Sequence, residues 1–286
     1  MKKLLFALPL FAASTALFAC GGNNEKTITI AASELPHAKI LNEAIKPVLK
    51  DKGYDLKVTV LEWTQQNPAV ARGEYDANYF QHLPYLNNYN AEASEDNQLQ
   101  MVVKVHFEKL CLYASDLTHK TLQNGDTIEI VNDVSNIERA LLLLQDHGVI
   151  DAISPSCYDG DGNFTFNTSN PNSQVTFAAA YSNCKITCIQ ESNLAVSLPD
   201  YNFGVIPGNA ALTGLGKDYA SRIVFGENVD EDILSLRANG VAVRKKDARS
   251  DKSKALVEAF ASDSVKTHIA STFGDSIVYH YESLID

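Results

Sequence analysis

The chain has 286 residues and carries 35 Asp and Glu against 24 Lys and Arg, a formal net charge of −11. That balance sets aside a nucleic-acid partner, because binding a phosphate backbone draws on clustered Lys and Arg to release counterions. The length amounts to two domains of ordinary size, each with enough chain for a core, and beyond the N-terminal stretch no apolar run is long enough to cross a bilayer.

The chain begins MKKLLFALPLFAASTALFAC: two lysines, an apolar run from Leu4 to Phe18, then Ala19-Cys20, the form of a secretory signal peptide. Leu17-Phe18-Ala19-Cys20 resembles a bacterial lipobox, in which a small residue precedes a cysteine that is lipidated and becomes the new N-terminus. Residues 1–19 are therefore expected to be removed, Cys20 to carry the lipid and 20–26 to form a tether. This places the protein in the bacterial cell envelope, lipid-anchored and extracytoplasmic. The alternative is a free or disulfide cysteine that happens to end a signal sequence, which leaves the GGNNEK tether unexplained.

After the tether, KTITIAAS alternates with Ile28 and Ile30 on one face, the period of a strand. A helix follows with Pro36 near its start, a stripe of Ile40, Leu41, Ala44, Ile45, Val48 and Leu49, and Gly53 past its end; Pro47 should kink it. DLKVTVLEW reads as a strand, NPAVAR as a short helix stopped by Gly73, YDANYF as a strand and MVVKVHFEKLCLYAS as one more. Strand and helix alternate as in an α/β sheet with crossover connections. From near Ser115 a second unit repeats the pattern: strand DTIEIV, helix SNIERALLLLQDHG, strands CKITCIQ and NFGVI, and a helix opening at GNAALTG. Between Ser154 and Asn183 the chain is rich in Asn, Ser, Asp and Gly and reads as an insertion forming a surface hairpin. Two amphipathic helices after NGVAVRKKD return to the first unit.

Four cysteines remain beyond Cys20: Cys111, Cys157, Cys184 and Cys188. The last two share a strand, where four residues span about 13 Å, too far for a disulfide between them. DGDGNFTFNTSN from Asp159 has the early oxygen donors of a calcium loop, but Phe164 stands where its glycine belongs and Asn170 where its closing Glu belongs. No HExxH, GxSxG or phosphate-binding glycine loop occurs, so neither enzyme, metal nor cofactor is expected.

Two stretches have the chemistry of a binding site. Ser135-Asn136-Ile137-Glu138 fits a capping box after the strand TIEIV, with Ser135 as N-cap, which sets Asn136 and Arg139 in the first turn of a helix at a strand's C-terminal end. Free backbone N–H groups favour an anion there, and Arg139 could grip a carboxylate; a surface pair of Arg139 with Glu138 or Asp133 is an equal alternative. ANYFQHLPYL, residues 77–86, packs three rings, two amides and a His into one run. A core strand would not carry the amides and a solvated loop would not carry the rings.

ELPHAKIL, RGEYDANYFQHLPYL, KVHFEKLCLY, IVNDVSNIERALLLLQDHGVI and VIPGNAAL, in this order and spacing, resemble the NlpA-type methionine-binding lipoproteins, substrate-binding subunits of a methionine ABC importer. The resemblance runs from about Thr27 to the C-terminal helices, outside the insertion. It implies an α/β two-lobed periplasmic-binding-protein fold, type II-like, with two interlobe crossovers: 27–112 plus 242–286 as one lobe and 113–241 as the other, with the insertion near 154–180. It implies a cleft wall of Trp63, Tyr79, Phe80, His82 and Tyr85 for the thioether chain, and Arg139 with Asn136 for the carboxylate. The family's INGNYAL becomes Ile206-Pro207-Gly208-Asn209-Ala210-Ala211-Leu212, which loses an Asn at Pro207 and a Tyr at Ala210. Asn209 or Asn193 is expected to compensate, or the ligand to differ at its amino end. The implied partners are a small amino-acid ligand, the membrane subunits of the importer, and a membrane reached through the N-terminal lipid. The same fold with another amino acid or a short peptide, or a surface interaction lipoprotein, are the alternatives.

Overall fold

The structure is a computed structural model that describes residues 25–274 and 277–285; the leader and Cys20 lie outside the described residues. The first unit runs β1 (Thr27–Ala32), α1 (Lys46–Asp51), β2 (Asp55–Val60), α2 (Trp63–Ala71), β3 (Ala77–Gln81), α3 (Leu83–Glu92) and β4 (Leu99–Glu108). The second runs β5 (Cys111–Ala114), β6 (Thr127–Val131), α4 (Val134–Asp146), β7 (Ile150–Ile153), β8 (Val175–Phe177), β9 (Lys185–Ile189), α5 (Glu191–Ser197), β10 (Phe203–Ile206), α6 (Gly208–Gly214) and β11 (Ile223–Gly226). The chain then returns through α7 (Glu231–Arg237), β12 (Asn239–Arg244), α8 (Asp251–Phe260), α9 (Asp263–Phe273) and β13 (Ile277–Ser283).

Eleven of the strands form two mixed sheets, one in the order β13-β4-β12-β3-β1-β2 and the other β11-β5-β10-β6-β9, the two lobes of an α/β fold. The chain passes between them twice, at Lys109-Leu110 and again from Glu227 to Ala238. The first passage corrects the reading of MVVKVHFEKLCLYAS as one strand. β4 ends at Glu108 in one sheet and β5 begins at Cys111 in the other. Both halves are buried, so the apolar run has no periodicity that would mark the break.

Residues 34–45 corrected a second expectation. Instead of a helix kinked at Pro47, wide turns span Glu34–Ala38 and Leu41–Ile45, and the Lys46 N–H reaches back to the Leu41 carbonyl. A proline cannot donate into the ladder, and a locally widened turn accommodates the lost bond. The stripe still works: Ile40, Leu41, Ile45 and Leu49 are fully buried, joined in one core by Leu256, Phe260, Val265 and Ile269 from α8 and α9. In the second lobe α4 lays Ile137, Ala140, Leu141 and Leu144 on Ile128, Ile130 and Phe203. Its N-cap is Asp133, two residues earlier than the capping box predicts: Asp133 accepts from the Asn136 N–H and from the Ser135 hydroxyl. A carboxylate has more acceptor capacity than a hydroxyl and takes both donors.

The insertion is a surface hairpin: β7 and β8 pair antiparallel, and Tyr158 bridges Phe164. The calcium-like string satisfies itself, with Asp159 accepting from the backbone of Asp161 and Asn163 and from the Asn163 amide. Cys111, Cys157, Cys184 and Cys188 are free thiols.

Candidate functional site

The interlobe cavity forms where several strands end. Ser33 follows β1, Trp63 follows β2, His82 follows β3, Asn136 and Arg139 follow β6, Glu191 follows β9 and Pro207 follows β10. Carboxyl ends of strands in α/β sheets expose helix starts and loop side chains to a shared crevice, so residues far apart in sequence converge.

The run 77–86 is both core and pocket wall. β3 is a central strand, paired with β1 on one side and β12 on the other, and each of its five residues is buried. Tyr79 belongs to the first-lobe core: it is 0% exposed, packs edge-on to Phe260 and bonds His106. Its expected place in the cleft wall is corrected, because neighbouring side chains on a strand point to opposite faces. Phe80 turns the other way, and with Trp63 and Tyr85 it makes a ring trio, Phe80 to Tyr85 at 5.5 Å and Trp63 to Tyr85 at 5.2 Å between centroids. Both amides of the run hold this wall: Asn78 and Gln81 form a closed buried network with Asn67, with bonds of 2.6 to 2.9 Å.

His82 spans the lobes. Its Nδ1 accepts from the Tyr85 N–H at 3.3 Å, which leaves the proton on Nε2 for Asn136 Oδ1 at 3.0 Å. Burial, with Arg237 and Arg139 nearby, lowers its pKa to about 3, so it bridges as a neutral ring. Arg139 is 7% exposed and bound more tightly than its sequence position foretells. Its Nε and Nη2 donate to Glu227 at 2.5 and 2.6 Å, and Nη2 also reaches the Glu108 carbonyl at 2.8 Å. Neither surface pairing weighed for it, with Glu138 or Asp133, is the one formed. Nη1 makes no hydrogen bond among the described residues.

Opposite stand two carboxylates that no sequence motif marks. Glu108, the last residue of β4, accepts from the Asn209 N–H at 3.0 Å, a close approach that Gly208 permits because a Cβ there would meet the Glu108 Cβ at 3.3 Å. Glu191 accepts from the Asn209 amide at 3.0 Å, and burial, with Asp133, Glu108 and Glu62 around it, pushes its pKa up to about 8. Asn193, by contrast, is exposed on α5 and does not line the cavity, which corrects its expected role; Asn209 does line it.

Residues 28–280 match the NlpA lipoprotein family. The chain belongs to that family. It is 31% identical to the methionine-binding lipoprotein MetQ of Bacillus subtilis (strain 168), over 97% of this chain and 98% of that one. A nutrient binding protein from Burkholderia cenocepacia, solved bound to methionine, superposes with a TM-score of 0.76 at 28% identity, over 88% of this chain and 99% of the other. An ABC transporter periplasmic substrate-binding protein from Coxiella burnetii gives 0.72 at 25% identity, over 88% and 100%.

Among the described residues of this NlpA-family fold one group has metal-ligand chemistry: His37, His106 and Glu108, whose candidate ligand atoms lie within 4.8 Å of one another. The donors are largely spoken for. His106 takes the Tyr79 hydroxyl on Nδ1 and offers Nε2 to Glu108 at 2.8 Å, leaving His37 beside Glu108 at 3.4 Å without a hydrogen bond. Burial lowers the pKa of both rings to about 3 and raises that of Glu108. The Tyr79 hydroxyl and the neutral His106 ring thus hold Glu108 in place in the cavity wall.

Proposed function

We propose that this chain is the lipid-anchored solute-binding subunit of an ABC importer and that it carries methionine or a closely related amino acid, without catalysis. The observation that carries this reading is the pairing of two walls in one enclosed cavity: the Trp63, Phe80 and Tyr85 rings, which suit a thioether, and Arg139, which suits a carboxylate. The binding named for the Bacillus subtilis relative, and the methionine in the Burkholderia cenocepacia structure, support the ligand. The transporter named for the Coxiella burnetii neighbour supports the membrane partner, and the Ala19-Cys20 junction supports anchoring on the extracytoplasmic face.

Titration calorimetry on protein stripped of ligand tests it. L-methionine should bind with a Kd of about 1 µM or tighter, and L-glutamate and L-lysine should not compete. Preference for either charged amino acid over methionine would refute the reading, since the ring wall carries no charge to match them.

A further inference from the structure

We propose that His37, His106 and Glu108 form a binding site for one first-row divalent metal ion, with Zn²⁺ the best match to the donor set. The site lies in the wall of the first lobe, where Glu108 alone of the three lines the ligand cavity. It stands apart from the solute-binding reading above, and either can fail without the other.

His37 carries the argument. It is 0% exposed, and neither of its ring nitrogens has a hydrogen-bond partner among the described residues. Such a ring loses its hydrogen bonds to water on folding and gains none, and an ion coordinated to one nitrogen supplies the missing partner. The other two donors stand at the right spacing. In a tetrahedral zinc site with bonds of about 2.0–2.2 Å the ligand atoms lie about 3.3–3.5 Å apart. Glu108 Oε1 is 3.4 Å from His37 Nε2, and its 2.8 Å separation from His106 Nε2 needs to open by only about 0.5 Å.

Both other ligands are already oriented. The Asn209 N–H donates to Glu108 Oε2, which leaves Oε1 to face the two imidazoles. Behind His106 the Tyr79 hydroxyl meets Nδ1, where a metal-bound imidazole commonly has an oxygen partner. On binding, His106 moves its one proton from Nε2 to Nδ1, donates it to the Tyr79 oxygen and presents Nε2 to the ion; the ring stays neutral.

Charge and donor type select the ion. Glu108 is 4% exposed, and its ion-pair partners among the described residues are these two imidazoles, so a divalent cation supplies the compensation that neutral rings do not. Two nitrogens and one oxygen suit zinc, whereas Mg²⁺ and Ca²⁺ take oxygen ligands. Three protein ligands leave the fourth position to a water.

The test titrates Zn²⁺ into the full mature chain, untagged and freed of metal by a chelator, using calorimetry, and follows Co²⁺ by visible absorption. One Zn²⁺ per chain should bind with a Kd of about 1 µM or tighter. Free Zn²⁺ at about 100 times Kd should raise Tm by roughly 5–11 °C, and Co²⁺ should give the intense visible bands of a four-coordinate ion. His37→Leu keeps the bulk but removes a ligand, and should weaken Zn²⁺ binding about 100-fold or more and abolish the cobalt bands. Tyr79→Phe removes only the outer partner of His106 and should weaken binding about 10–100-fold. His280, 3.9 Å from Glu231 and 3.8 Å from Glu282, is the looser cation group, and His280→Ala should bind as the wild type does. Less than one equivalent bound, the pale spectrum of six-coordinate cobalt, binding unchanged in His37→Leu or binding lost in His280→Ala would each overturn the site. Where His37→Leu does not fold, Tyr79→Phe and the wild-type cobalt spectrum decide: unchanged affinity in the first or a pale spectrum in the second overturns the site.

Discussion

Replacing Glu227 by Gln separates two jobs that Arg139 does, holding the hinge and meeting the ligand. In the wild type Glu227 receives Arg139 Nε and Nη2 and also the Leu110 N–H at 2.9 Å, so it ties α4 to both interlobe passages. The two side chains are only 7% and 10% exposed. Gln keeps the shape but leaves the guanidinium uncompensated, and breaking a buried pair from one side costs about 3–5 kcal/mol. For a chain of this size each kcal/mol moves Tm by roughly 2–4 °C, so the expected fall is roughly 6–20 °C. Arg139→Ala should cost a similar amount by stranding Glu227. The double variant Arg139→Met/Glu227→Met buries no charge and should recover most of the loss, because apolar replacement of a buried pair is often neutral or stabilising. Binding sorts the variants differently. Glu227→Gln retains the guanidinium and should keep methionine affinity within about fivefold, whereas Arg139→Ala and the double variant should lose roughly 30-fold or more. Scanning calorimetry reads stability and titration calorimetry reads affinity. If the double variant recovers both, Arg139 is a hinge residue alone and its assignment to the ligand is wrong.

Stability against pH should show a plateau with two falling sides. Burial holds His37, His82 and His106 near a pKa of about 3 against 6.5, so the unfolded chain binds extra protons between those values and stability drops as pH falls through them. Burial raises Glu129 to about 7 and Glu191 to about 8 from 4.5, so their contribution is present below 4.5 and lost as pH rises through those values. The two sets oppose each other between about 4.5 and 6.5; stability should climb up to that range and decline towards pH 8, with Glu191→Gln flattening the decline. Urea unfolding at stepped pH checks this, and a steady rise through pH 8 would contradict it. Separately, Cys20→Ser should move the protein from the membrane to the soluble fraction; processed protein that stays membrane-bound would show that the lipobox reading is mistaken.

The alternation of strand and helix was legible because each central strand is apolar and each helix is striped. What the sequence hides is which way a side chain turns. Tyr79 and Phe80 are adjacent aromatics with the same propensities, and only the placement of β3 between β1 and β12 sends one to the core and the other to the cavity. Glu108 and Glu191 carry no motif: Glu108 lies inside what reads as one continuous strand, and Glu191 opens a short helix. They become a site only when the ends of different strands meet. α3 went unread because LPYLNNYNAE lacks an apolar stripe, with Leu86 its only fully covered residue. Pro84, two residues after the capping His82 and so in the first turn, was the available clue. β13 is a half-buried edge strand at the end of the chain, with too weak an alternation to stand out from a tail.

The lobes are bridged in large part by residues that surround the ligand space. His82 reaches Asn136, the Asn209 N–H reaches Glu108, Arg139 reaches the Glu108 carbonyl and Arg237 reaches the Ser135 carbonyl. Each bridge satisfies a polar group that burial would otherwise penalise, so closing the cleft does not by itself strand these donors and acceptors. Free groups at the ligand are then few: the rings, Trp63 Nε1, one oxygen of Glu191 and Arg139 Nη1. Few contacts can discriminate sharply between ligands, but apparent affinity also scales with the fraction of protein that is already closed. Changes at Asn136 therefore act on affinity through two routes, by altering the bridge and by altering the cavity wall, whereas a change at Asn209 leaves its backbone N–H on Glu108 and acts through the wall. Changes at Trp63 act mainly through the second, which is why Trp63 is the cleaner probe of what the site recognises.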